Sequence, residues 1–124
     1  MAGKLVALAV AGALGTLSRY ALGRMVHGIC GESFPWGTMV VNSLGCFLFG
    51  LVWVLAEERM RISSETRTVV LIGFMGAFTT FSTLVFETDS LLRHSELLAI
   101  GNYLGNTVLG VVLLLLGMAL GKLL

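Results

Sequence analysis

Residues 73–83 read Gly-Phe-Met-Gly-Ala-Phe-Thr-Thr-Phe-Ser-Thr and set four hydroxyls and two glycines in a stretch free of charge. Each buried polar group left without a partner costs about 2–7 kcal/mol in apolar surroundings. Thr79, Thr80, Ser82 and Thr83 must therefore pair with protein, water or a permeating solute. Glycine is a poor helix former, and Ser and Thr compete for backbone hydrogen bonds. The run thus predicts a helix broken near its middle. Carbonyls freed by a break can hold a cation, while hydroxyls and the positive edges of Phe rings can meet an anion. The other outcome is a continuous helix whose hydroxyls bond back to their own carbonyls.

Further polar residues lie at helical spacing. Thr38, Asn42, Cys46 and Phe49 fall along one side of a second apolar segment. The Asn42 amide offers donors and an acceptor, enough to bind an anion or to clamp a neighbouring helix. In the last segment Asn102, Tyr103, Asn106, Thr107 and Gly110 share a broad face, with Gly101 and Gly105 mostly opposite. That stripe either bonds between helices beside close glycine packing or lines a hydrated path. Gly117 and Gly121 add a small-xxx-small pair suited to packing. Pro35-Trp36-Gly37-Thr38 reads as a turn opening a helix with Thr38 near the N-cap, a place that suits an anion or simple capping. Trp36 and Trp53 are placed as interface anchors. Arg19 either snorkels at the end of its helix or draws anions to a vestibule. Glu87 and Asp89 are expected at the interface as solvated acids, and His27 and His94 are assigned no role.

Charge spacing sets the elements that must carry these groups. Hydrophobic residues make up 56% of the 124 and charged residues 12%, about half the charged share of a soluble domain. Uncharged runs cover 33–56, 68–86 and 97–121, each near the roughly 20 residues that a helix needs to span a bilayer. The first run, 5–18, is shorter and needs Arg19 to be absorbed at its end. The reading is an all-α membrane protein, one four-helix transmembrane domain over 1–124 with spans near 4–26, 37–56, 68–91 and 97–121. The first segment is not taken for a signal peptide, because it continues apolar to Val26 and three spans follow. A net charge of +1 gives no hint of nucleic-acid binding, and Cys30 and Cys46 suggest neither a disulfide framework nor a metal site.

Four spans put both termini and the middle loop on one side, with Lys4, Arg59, Arg61, Arg67 and Lys122; Arg24 and Arg93 lie on the other, with Arg19 nearby. The excess favours cytoplasmic termini but is small enough for insertion both ways. Four helices bury little interior, so a transport path is expected to need a second copy.

Four segments together resemble the CrcB/Fluc family of fluoride channels: Gly12-Ala-Leu-Gly-Thr-Leu-Ser-Arg19-Tyr20, Trp36-Gly-Thr38-Met-Val-Val-Asn42-Ser-Leu-Gly45, the run 73–83, and Tyr103. The resemblance implies an antiparallel dual-topology homodimer in the inner (plasma) membrane, with two fluoride pores at the subunit interface. A heterodimer with a homologous chain is the other assembly it allows. It implies a structural sodium ion held by backbone carbonyls at the positions of Gly76 and Thr79. Asn42 matches the pore asparagine, Phe81 the first ring of a paired-phenylalanine box, and Ser82 and Thr83 the hydroxyls beside it. Thr38, Tyr103 and Thr107 match polar pore-lining positions, and Arg19 the vestibule arginine.

One position departs from the pattern: Leu84 stands where the family usually has its second phenylalanine, supplying bulk without a positive ring edge. Ala77 replaces a frequent glycine. Passive fluoride efflux conferring fluoride resistance, with no catalysis, is the implied function. A small multidrug/proton antiporter would want an acid deep in the first span, and 5–18 has none. A non-transporting assembly subunit would leave the hydroxyl run unexplained. An intramembrane enzyme would need a His, Asp or Glu to activate Ser82, and none accompanies it in mid-span.

Overall fold

The computed structural model describes all residues, 1–124, and is entirely helical. Helix α1 (Ala2–Cys30) and helix α2 (Trp36–Glu57) are continuous. The third span is assembled from pieces: α3 (Ser64–Thr68), a π-helical turn (Val69–Met75), α4 (Gly76–Phe78) and, after a two-residue gap, α5 (Phe81–Leu92). Helix α6 (Glu96–Leu123) closes the chain. The four stretches Ala2–Cys30, Trp36–Glu57, Ser64–Leu92 and Glu96–Leu123 are each long and apolar enough to cross a membrane. The break in the third stretch falls where the hydroxyl run predicts it; the π-helical turn before it was not anticipated.

Local chemistry explains the ends. Gly31, at φ 83° and ψ −178°, takes a positive-φ conformation that glycine tolerates and donates its N–H to the His27 carbonyl at 2.9 Å, ending α1. Ser63 and Ser95 cap α3 and α6 by accepting the N–H groups of Thr66 and Leu98, and Glu65 and Glu96 add an acid to each first turn. Helix α2 starts on Pro35, whose missing N–H suits that place. Thr38 does not cap it, contrary to expectation: it lies inside the first turn, with its hydroxyl directed across to α5.

Packing relies on glycine contacts more than on a large apolar core. Helices α2 and α6 touch backbone to backbone: a Cβ on Gly50 would strike the Leu114 carbonyl, and one on Gly117 the Phe47 carbonyl. Gly121 fits against Val54, where a Cβ would stand 2.9 Å from that side chain. Helix α1 seats on the broken span in the same way, with Gly15 against the Phe74 carbonyl and Gly73 against Ala11. Small residues permit such approach where lipid removes the hydrophobic drive between helices. Gly105, placed opposite the α6 interface by its helical angle, instead packs on the Met39 side chain. Leu5, Leu14, Leu17, Val108 and Val111 remain exposed on the outer faces of α1 and α6.

Candidate ion pathway

The break is made by two threonines in extended conformation: Thr79 at φ −84°, ψ 157° and Thr80 at φ −148°, ψ 121°. Thr79 finishes α4, its N–H and hydroxyl both donating to the Met75 carbonyl at 3.0 and 2.9 Å. Thr80 starts α5, its hydroxyl accepting the Thr83 N–H at 3.3 Å and donating to the Thr83 hydroxyl at 3.0 Å. That leaves the Thr83 proton free to donate elsewhere. Ser82 is exposed, its hydroxyl 3.4 Å from that of Thr80. The Thr80 N–H turns away from the helix, so the Gly76 carbonyl loses its usual partner, and the Thr79 carbonyl accepts no backbone N–H.

Asn42 closes the gap. Its Oδ1 accepts the Thr80 N–H at 2.9 Å, and its Nδ2 donates to the Thr80 carbonyl at 3.1 Å. The side chain thus stands in for a missing stretch of backbone. The second Nδ2 hydrogen goes to Asn106 Oδ1 on α6, at 3.2 Å. Of the two roles open to Asn42 in the sequence, the structure displays the clamp. Gly45, one turn on, lets α2 approach this closely, since a Cβ there would collide with the Thr79 methyl and stand 3.3 Å from the Phe78 ring.

The broad α6 stripe divides into two edges. Asn102 and Asn106 are buried against α2 and α5, whereas Tyr103 and Thr107 are exposed, the Thr107 hydroxyl donating to the Tyr103 carbonyl at 2.8 Å. Asn106 Nδ2 donates to Asn102 Oδ1, and Asn102 Nδ2 to Thr88 Oγ1 on α5.

Glu87 corrects another expectation. It is not a solvated interfacial acid: it is half-buried, Oε1 accepts the Thr38 hydroxyl at 2.7 Å, and Oε2 is buried without a partner. A helix restarted at Phe81 carries position 87 inward beside the first turn of α2. Asp89 does face outward, paired with Arg93 at 3.0 Å.

Two cavities flank the Asn42–Thr80 junction. One, of about 370 Å³, is lined by Asn42, Asn106, Thr79, Thr80, Phe81, Leu84 and Thr107 together with Gly45, Cys46 and Phe49. The other, of about 320 Å³, is lined by Arg19, Tyr20, Arg24, His27, Thr38, Thr80 and Thr83. Thr80 belongs to both. Of the residues singled out in the sequence, the structure groups Asn42, Phe81, Thr79 and Thr107 on one side, and Arg19, Thr38 and Thr83 on the other. Ser82, Tyr103 and Gly76 line neither cavity. Leu84 and Phe81 share a wall, and Phe86 points outward at 71% exposure. Sequence reasoning missed His27 and Arg24 as lining of the second cavity, Glu87 as the partner of Thr38, and the joining of Asn102 and Asn106 to Asn42. For Glu87 a signal existed: six residues beyond a break, it falls within the second turn of the new helix.

Four membrane-length helices, the third interrupted between two cavities, define a multi-pass membrane protein. The chain belongs to the CrcB family: residues 6–118 match the family described as "CrcB-like protein, Camphor Resistance (CrcB)". It is similar to the "Fluoride-specific ion channel FluC" of Nitrosococcus oceani, 58% identical over 120 residues, 96% of each chain. The relatives of the same name from Solidesulfovibrio magneticus and Desulforapulum autotrophicum are 55% and 50% identical over 121 residues, 97% of each chain.

Proposed function

We infer that this chain is a fluoride-specific ion channel giving passive fluoride efflux, and not an enzyme. The observation that carries the reading is the junction of Asn42 and Thr80, a dense set of neutral hydrogen-bonding groups between two cavities, one bearing Arg19 and Arg24. Fluoride is small and strongly hydrated, and moving a bare ion of that kind into an apolar medium costs on the order of tens of kcal/mol. Its shell must be replaced stepwise by donors held weakly enough to release it. The guanidinium groups draw the anion into the vestibule, where the free Thr83 proton is a hydroxyl donor. Beyond the junction, Phe81 offers a ring edge and Thr107 lines the same cavity.

The assembly follows from what one chain leaves open. Phe81 and Tyr103 are 69% and 45% exposed, so polar and aromatic path residues stand on the outside of the monomer. A second copy, antiparallel in the membrane, would cover them and give two pores per homodimer. The donor set at the break also fits a sodium ion, because unwound carbonyls are the hard oxygen ligands such an ion takes. The Gly76 and Thr79 carbonyls, both without backbone partners, are the ones that would hold it; when bound it would pin the break and the two copies together. The setting is the inner (plasma) membrane.

The test is efflux from liposomes holding only the purified protein, loaded in parallel with fluoride and with chloride. Rapid fluoride loss with chloride retained is expected. Loss of both ions would reject selectivity, and silence toward both from folded protein would reject a homomeric channel.

A further inference from the structure

Every hydrogen on the Asn42 amide is already committed. Nδ2 donates to the Thr80 carbonyl and to Asn106 Oδ1, while Oδ1 accepts the Thr80 N–H. The amide cannot flip, because the main-chain N–H of Thr80 demands an oxygen opposite it. An anion drawing on Asn42 must therefore displace one of two acceptors. Thr80 is held by a reciprocal pair that closes the helix break. Asn106 Oδ1, at 3.2 Å, is the longer and singly held bond.

Asn106 cannot follow a departing partner. Its Nδ2 is fixed twice on Asn102, to the carbonyl at 3.0 Å and to Oδ1 at 3.1 Å. Asn102, fully buried, is in turn anchored on Thr88 Oγ1 at 3.0 Å, and Thr88 on the Leu84 carbonyl at 2.8 Å. Donation runs one way, from the Thr80 N–H at the start of α5 through Asn42 and α6 back to α5. The relay begins and ends on the helix that the break creates.

We propose that Asn106 is a specificity-determining residue, whose side-chain oxygen, held still by Asn102 and Thr88, competes with the permeating anion for the Asn42 N–H. Hydrogen bonds to an ionised acceptor are roughly twice as strong as those between neutral groups. Fluoride, the strongest acceptor among the halides, takes the hydrogen from an amide carbonyl. Chloride, larger and with more diffuse charge, gains too little over that carbonyl to do so. Discrimination is a difference of affinities, and an occupied donor sharpens it by penalising the weaker acceptor. Asn106 acts on the ion through Asn42; Asn102 and Thr88 are positioning residues behind it.

This inference rests on the channel reading, and the experiment separates the two. Fluoride and chloride efflux are measured from liposomes carrying the wild type, Asn106→Leu, or Thr88→Val, and the quantity read is the chloride-to-fluoride rate ratio. Asn106→Leu frees the Asn42 N–H and is expected to raise that ratio about tenfold, the equivalent of ~1.4 kcal/mol. Thr88→Val, isosteric and outside both cavities, loosens the far end of the relay and is expected to raise the ratio by a smaller factor. Should Asn106→Leu fail to fold, Thr88→Val decides alone. A merely structural role would lower both rates together or lower the melting temperature at constant ratio. A wild type selective for fluoride with the ratio unchanged in the folded variants overturns the role of Asn106 and leaves the channel standing. A wild type passing neither ion overturns both.

Discussion

Phe81 and Leu84 are one turn apart on α5 and line the same cavity, yet they present different surfaces to it. Phe81 is 69% exposed with its ring in reach of the path, whereas Leu84 is 6% exposed and its carbonyl holds the Thr88 hydroxyl. A ring edge attracts an anion and a leucine methyl does not. Phe81→Ile is expected to slow fluoride efflux about tenfold, equivalent to ~1.4 kcal/mol on the barrier, and more than Leu84→Ile does. Equal effects of the two changes would remove the ring edge from the mechanism. Leu84→Phe is expected to leave efflux intact or raise it, since the cavity of about 370 Å³ lies in front of that side chain; a complete block would mean that the wall is built around leucine. The residues that carry this site were legible because amides and hydroxyls in an apolar run have few reasons to exist. Their partners were not. Nothing in the sequence says that Asn42 reaches Thr80, 38 residues on, or that both of its hydrogens are spent on protein. Glu87 was misplaced because the charge-free run ends just before it, and a run boundary is not a membrane boundary.

At the scale of the element, the third span is two helices held end to end by side chains. Thr79 and Thr80 supply the stop and the start, and Asn42 supplies the bridge, but all three depend on α2 coming close. Gly45 permits that approach. Gly45→Val places methyls where the Thr79 methyl and the Phe78 ring already stand, so the strain falls on the break itself. The expected cost is about 1–3 kcal/mol of stability, the usual range for overpacking, with fluoride efflux lost. Gly101→Ala is the control, because a Cβ there meets nothing within 4 Å in this chain; helix propensity alone would make it neutral or stabilising by up to ~1 kcal/mol. Thermal melts in detergent beside efflux measure both, and a Gly45→Val protein as stable and active as wild type would sink the role given to this glycine. Composition foretold this break, since glycines and hydroxyls weaken a helix locally. The π-helical turn at Val69–Met75 left no such trace. Within it Gly73 seats against Ala11 of α1, a tertiary contact that no local pattern encodes.

For the whole molecule the charge pattern matters most. Of the basic residues that would hold one end in the cytoplasm, Arg67 pairs with Glu57 and lies 5.6 Å from the Trp53 ring, and Lys122 sits 3.8 Å from Glu58. Only Lys4, Arg59 and Arg61 of that group remain without a carboxylate partner. At the other end Arg24 lies over the Tyr20 ring and Arg93 is matched by Asp89. Orientation follows retained positive charge in short loops, and a surplus this small directs insertion weakly in either sense. The chain should therefore enter the membrane both ways, which an antiparallel pair requires. Cys30 reads this out, being exposed at the end of α1 opposite to both termini, while Cys46 is half-buried within α2. In spheroplasts expressing the Cys46→Ser variant, a membrane-impermeant maleimide is expected to label about half of the Cys30 thiols, and the remainder only after permeabilisation. Labelling of all or none before permeabilisation would show a single orientation. Adding two lysines to the loop between α2 and α3 should then move the labelled fraction away from one half, because a balance set by so few charges is shifted by two more.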